Sequence, residues 1–143
     1  MNSLRLEKSF GIWSREFTWA YTPGMCGLDR FVSFDKPDFV GREAALRERH
    51  SGGAKQQLAT LAIESPDADA LGFEPVWQKE RRVGFVTSGG YGHTIGKSLA
   101  MAYIDKALIE PGAVFEIHIV GERRRATVIA PSPVDPKGER LRS

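Results

Sequence analysis

From about residue 55 onward, apolar side chains recur with a period of two. Phe115, Ile117 and Ile119 alternate with Glu116 and His118, and such alternation marks a strand with one buried face. Leu58, Thr60, Leu61 and Ile63 predict an earlier strand, Pro75-Val76-Trp77 a short one, and residues 82–87 and 97–104 two more. In the last of these, Leu99, Met101 and Tyr103 alternate with small residues. Ala126, Val128 and Ala130 continue a return strand after a tight turn expected at Gly121-Glu122, and Pro111-Gly112 signals another turn. Six short strands divided by Gly and Pro turns predict a mainly β protein, folded as a small closed or sandwich-like unit.

Residues 1 to about 50 have a different texture, read as helix and loop. Leu4, Leu6 and Phe10 sit in a short charged piece with helical character, and Pro23-Gly24 breaks the chain. Residues 39–49 are rich in Ala, Leu, Glu and Arg and predict a short helix, with Asp38 placed to cap its start and Ser51-Gly52-Gly53 to stop it. The apolar residues here are too few to build a core alone. Yet Trp13, Phe17, Trp19, Phe31, Phe34 and Phe39 make a large aromatic load for a loop-rich segment. Some must pack on the β half; others are candidates for an interface.

Composition adds limits. A chain of 143 residues, 41% hydrophobic and 27% charged, allows one domain or one and a fraction and can bury a core. A net charge of +2 with no basic stripe gives no reason to expect nucleic acid. The run Arg123-Arg124-Arg125 reads as a solvated face. No apolar run approaches membrane-spanning length, and the N-terminus has no signal-peptide core. The single cysteine, Cys26, excludes an internal disulfide and is compatible with a reducing compartment, so a cytoplasmic location is expected. His50, His93 and His118 lie far from Cys26 in sequence and offer no local support for a nucleophile. His118 falls on the polar side of its strand and is expected to be exposed. No His, Cys, Asp or Glu cluster has metal-ligand spacing.

The segment SGGYGHTIGKS, residues 88–98, invites comparison with a phosphate loop. The pattern G-x-x-x-x-G-K-[ST] needs glycine at position 91, which is Tyr91; G-x-G-x-x-G needs it at 95, which is Ile95. Residues 98–104, immediately beyond it, have a strand period rather than a helical one. The expected structure is a Gly-rich turn between two strands, with glycine supplying positive φ.

Several stretches taken in order resemble a known family. NSLRLEKSF, W-x-R-E, TPGMCGLDRFV and KPDFVGREAAL resemble the closing part of the folate-binding aminomethyltransferase domain. PVW, VGFVTSGGYGHTIGKSLAMAYI, PGAVFEIHI and DPKGERLRS resemble the small barrel that follows it. The family includes the glycine-cleavage aminomethyltransferase, and the version here is more similar to the C-terminal part of the sarcosine and dimethylglycine dehydrogenases. The resemblance implies a six-stranded Greek-key or jelly-roll-like small barrel at 53–143, preceded at 1–52 by a remnant, helical or α/β, of the folate-binding domain.

It also implies cofactors and partners. Tetrahydrofolate is the cofactor expected of the family, and FAD belongs to an upstream or partner domain. The catalytic aspartate, the pterin-holding tyrosine and glutamate, and an arginine preceding NSLRLE would all lie upstream of Met1, so no catalytic residue is carried over. Phe10 stands where an aromatic lines the folate pocket in glycine-cleavage relatives; plain packing is the alternative. Arg140 or Arg142 matches a C-terminal arginine that approaches the folate in some members, with frayed surface as the alternative. Tyr91, or His93, is a further candidate to face the folate. The resulting expectation is a C-terminal fragment or subunit of a tetrahydrofolate-dependent demethylating enzyme, inactive alone. Its alternative is a stand-alone binding or assembly module that docks through its aromatic first half.

Overall fold

A computed structural model describes residues 1–140 and Arg142. Six antiparallel strands form a closed barrel: β1 (Gln56–Ile63), β2 (Pro75–Gln78), β3 (Arg81–Gly92), β4 (Lys97–Asp105), β5 (Val114–Ile119) and β6 (Glu122–Ile129). Around the barrel the order is β1-β4-β3-β2-β5-β6, and β6 pairs back onto β1. β2, β3 and β4 form a meander and β1 returns to lie beside β4, which is a Greek key. Closure leaves no unpaired sheet edge.

Alternation decides what is inside. Leu61, Ala100, Ala102, Ile104, Phe115 and Ile117 belong to the buried inner cluster. Leu99 and Met101, on the opposite face of β4, pack with Leu6 in a second cluster outside the barrel wall. β4 is therefore buried on both faces, which is why its alternation is weak in the sequence. A β-bulge in β3 between Val86 and Ser88 reverses the facing of the strand: Val86 pairs with Ala102, but Ser88 pairs with Met101. Ser88 thereby reaches the outer face.

The first half runs as α1 (Asn2–Glu7), α2 (Pro23–Cys26), a 3-10 turn at Asp29–Phe31, and α3 (Arg42–His50). α1 lies against β3 and β4, and α2 against β1. Thr22 caps α2, accepting a hydrogen bond from the Met25 amide at 3.2 Å.

Several local expectations change. The predicted helix begins at Arg42 rather than Phe39, because Gly41 takes the N-cap position with φ 89; Asp38 makes no cap. The β5–β6 turn is Val120-Gly121, both at positive φ (50 and 82), the pair a two-residue type I′ hairpin requires. β6 ends at Ile129, before Ala130. Gly89, Gly90 and Gly92 lie inside β3, not in a turn; only Gly96 of the connection has the left-handed φ of 68. Close approach explains Gly89 and Gly92. A Cβ on Gly89 would stand 2.3 Å from the Ala70 carbonyl, and one on Gly92 2.7 Å from Ile95. His118 is half-buried and stacked on Trp77, with ring centroids 5.4 Å apart. Arg124 is not a solvated residue. It lies buried at 8% exposure, gripped by Asp67 from the β1–β2 connection and by Glu122 at 2.9 Å. Among the described residues no helix is long and apolar enough to cross a membrane.

Candidate functional site

The first half meets the barrel through two buried carboxylates. Glu16 is fully buried. One carboxylate oxygen accepts from the Ser88 hydroxyl at 2.5 Å; the other accepts from the Ile12 amide at 2.9 Å and from Arg5 at 3.4 Å. Its backbone carbonyl accepts from the Tyr103 hydroxyl at 2.7 Å. A buried carboxylate without such donors would be strongly destabilising; here each oxygen is served. Glu7, the last residue of α1, reaches across to the β3–β4 connection and accepts from the amides of Thr94 (2.5 Å) and Ile95 (3.2 Å) and from the Thr94 hydroxyl (2.9 Å). Burial alone pushes its carboxyl up, but these three hydrogen bonds together outweigh it and hold the group below the usual carboxylate range.

Cys26 completes the polar seam. Its sulfur lies 3.1 Å from the Tyr103 hydroxyl oxygen, and the Tyr21 ring packs tilted against that of Tyr103, centroids 4.3 Å apart. Burial pushes the Cys26 thiol up, with the Tyr103 contact opposing it, so the sulfur is held as a thiol rather than the nucleophilic thiolate. Tyr103 is also displaced upward, chiefly by burial. Among the described residues no group of three or more His, Cys, Asp and Glu is arranged to hold a metal.

Above this seam lies a cavity of about 940 Å³. Lys8, Ser9 and Phe10 at the end of α1 form one side, Leu58 and Thr60 of β1 with Met101 the floor, and Pro131, Ser132, Pro136, Lys137 and Gly138 of the C-terminal tail the other side. The tail is stitched to α1. The Ser9 hydroxyl oxygen accepts from the Ser132 amide at 2.7 Å and from Thr60 at 2.8 Å, the Val134 amide donates to the Glu7 carbonyl at 3.1 Å, and Lys8 lies 3.8 Å from the Asp135 carboxylate. Ser9, Ser132 and Asp135 all take positive φ (52, 55 and 47) to make these contacts, and such conformations persist only where the surroundings enforce them. Phe10 is 56% exposed with its ring at the cavity wall, and Lys8, Arg30 and Lys137 place cations on the lining.

The four candidate residues fall into two places. Phe10 lines the large cavity. Arg142 folds back onto its rim, its guanidinium donating to the carbonyls of Lys137 and Gly138, the latter at 3.3 Å. Arg140 is exposed on the same tail. Tyr91 lines a different cavity, of about 610 Å³, that shares no lining residue with the first; His93 packs edge-on against it at 5.2 Å. Glu7, Glu16, Ser9 and Arg30 were not foreseen as site residues. The sequence held one signal for the first two: Glu7 lies in NSLRLEKSF and Glu16 ends W-x-R-E, two of the stretches that carry the resemblance.

A family model described as "Glycine cleavage T-protein C-terminal barrel domain" matches residues 56–135. Mouse mitochondrial dimethylglycine dehydrogenase is 40% identical over 130 residues, covering 90% of this chain and 15% of that protein. An aminomethyltransferase of Corynebacterium aurimucosum is 38% identical over 123 residues, covering 85% of this chain and 33% of the relative. The chain thus spans a minor part of the length of both. Among solved structures, the glycine cleavage system aminomethyltransferase T from Bartonella henselae superposes with a TM-score of 0.85 over 94% of this chain and 38% of its own. At 24% identity that likeness speaks for the fold alone.

Proposed function

The chain belongs to the glycine cleavage T-protein C-terminal barrel family, and from that membership we propose that it forms one wall of a tetrahydrofolate cavity and the barrel that braces it. On this reading residues 1–52 are part of a folate-binding domain and 53–143 the barrel domain, and the chain is inactive alone, its pterin-holding and catalytic groups being supplied by protein outside these 143 residues.

The observation that carries the reading is the large cavity between α1, β1 and the tail. Its chemistry fits a folate: the half-exposed Phe10 ring offers a flat stacking surface, and Lys8, Arg30 and Lys137 offer cations for a carboxylate-bearing tail. Tetrahydrofolate, when bound, supplies the capacity to accept a one-carbon unit. The chain's own residues hold and orient. Phe10 stacks, Arg142 braces the rim through its main-chain hydrogen bonds, Arg140 offers a guanidinium to a carboxylate, and the Ser9–Ser132 contact keeps the tail closed over the cavity. Tyr91 stands in the other cavity, apart from this one. A flavin finds no comparable fit: Gly89, Gly90 and Gly92 are strand positions packed against Ala70, α1 and Ile95, and no step is assigned to one.

Titration of the chain with tetrahydrofolate, followed by quenching of tryptophan fluorescence, tests the proposal. Weak binding that Phe10→Ala abolishes is expected. Binding near micromolar would contradict the claim that the principal pterin contacts lie elsewhere, and binding insensitive to Phe10→Ala would remove the cavity from the account. A second reading, a non-enzymatic module docking on a partner, is favoured by one observation: Trp13 and Trp19 are 84% and 99% exposed. A monomer by size exclusion that binds no hydrophobic dye would count against it.

A further inference from the structure

Next to the large cavity lies a cleft of about 580 Å³, and Arg30 lines both. Its walls come from the 3-10 turn, the later part of α3, Gly52-Gly53, and Lys106 just after β4. Three cations therefore meet in it: Arg30, Arg49 and Lys106. Among the described residues, none of the three has a carboxylate within 4.0 Å. Instead the guanidinium of Arg30 lies over the Phe31 ring at 4.8 Å, and that of Arg49 over the Phe34 ring at 4.9 Å. Such stacking fixes the plane of a guanidinium while leaving its N–H edge available. Lys106 reaches in past Gly53, where a Cβ would stand 2.9 Å from the ammonium.

Two carboxylates, Asp29 and Glu48, share the lining. Glu48 is turned toward α2: one of its oxygens accepts from the Thr22 hydroxyl at 2.8 Å and the other lies against Gly24. The cations outnumber the anions, and the floor of Val32, Phe34, Ala45 and Ala54 is apolar, which strengthens any charge interaction made above it.

We propose that this cleft binds a small, multiply charged anion carrying two or more carboxylates or phosphates along a short chain. Guanidinium groups engage both by paired N–H donors. Three cations drawn from three separate parts of the chain favour a ligand that presents several charges over one that presents a single charge. The proposal is independent of the folate reading, since it concerns the far side of Arg30 and holds whether or not the large cavity takes a pterin.

The test is calorimetric titration of the full chain at low ionic strength, with a tetraglutamate peptide and with tripolyphosphate as probes. Arg49→Ala and Lys106→Ala, both at exposed positions, should each weaken binding about ten-fold. Arg47→Ala is the control. It removes the same charge two residues away, where Arg47 is paired with Glu43 at 3.6 Å outside the cleft, and should leave affinity unchanged. Circular dichroism establishes that each variant is folded. A preference for the peptide assigns the site to carboxylates, and a preference for tripolyphosphate assigns it to phosphates. Failure of both probes to bind, or equal weakening by all three substitutions, would overturn the proposal. Because neither probe has a pterin, success here with failure of the tetrahydrofolate titration would remove the folate reading and leave the cleft standing.

Discussion

The barrel and the segment that precedes it are held by different physics. In the barrel, every strand is paired on both sides and the inner residues form one apolar cluster. Each fully buried Leu, Ile or Phe there contributes roughly 1.5–3 kcal/mol. The leading segment has helices of 6, 4 and 9 residues, each too short to persist alone. Its aromatic residues are largely spent on the surface: Trp13, Trp19 and Phe31 are all more than 70% exposed. Leu6, buried beside Leu99 and Met101, provides apolar anchorage, and the two buried carboxylates, with the Cys26, Tyr21 and Ser9 contacts, provide polar and aromatic anchorage. A barrel distributes its stability over many similar contacts; the segment concentrates its own in a few dissimilar ones. A single substitution should therefore have a global effect in the first and a local effect in the second.

The largest effect is expected where barrel backbones approach most closely. A Cβ on Gly84 would lie 2.1 Å from the Tyr103 carbonyl oxygen, and backbone on the neighbouring strand cannot move aside without opening the ladder. Gly84→Ala should cost about 3 kcal/mol and lower the thermal midpoint by roughly 10 °C, with barrel and segment lost in one transition. A midpoint within a degree or two of the parent would show that closure tolerates adjustment at this strand pair.

Next in size is Glu16→Ala, which strips the acceptor from Ser88, Ile12 and Arg5 together. The expected cost is about 2 kcal/mol, and its location matters more than its size. Hydrogen exchange should accelerate at residues 1–30, while the amides of β1 and β4 keep their protection. Uniform acceleration across the barrel would abolish the contrast between the two regions.

That contrast also explains what could be read in advance. Phe115, Ile117 and Ile119 announce β5 because one face of that strand is polar; β4 is blurred because both of its faces are covered. The strands were legible one by one and the small six-stranded barrel through the resemblance, but the pairing order was not: that β6 returns to β1 depends on contacts with no local signature. The glycines at 89, 90 and 92 look like a loop because composition cannot distinguish a glycine that turns the chain from one that lets two backbones touch. Asp38 looks like a cap, whereas Gly41, with its left-handed φ, fills that position. At the site, Phe10 was legible through resemblance, whereas Glu7 and Glu16 were not, because carboxylates are almost never buried unless partnered. Their partners, at Thr94 and Ser88, lie more than seventy residues away in sequence.

The smallest predicted effect separates Glu7 from the apolar core by pH. The hydrogen bonds from Thr94 and Ile95 lower the Glu7 pKa beneath its ordinary value of 4.5. A group whose folded pKa is depressed contributes its full stabilisation above the unfolded pKa and loses it as pH falls through the folded one. Stability should therefore decline below about pH 4.5 in part through Glu7, and α1 should loosen from the β3–β4 connection first. Glu7→Gln keeps an acceptor but removes the charge, so it should cost about 1 kcal/mol near neutral pH and flatten this part of the acid profile. The Thr94 and Ile95 amide resonances, followed by NMR through an acid titration, provide the readout. If they shift in the parent chain and stay still in Glu7→Gln, the junction between segment and barrel is electrostatic in the way the geometry indicates; if both chains titrate alike at these amides, Glu7 is held by packing and the distinction between the two regions narrows.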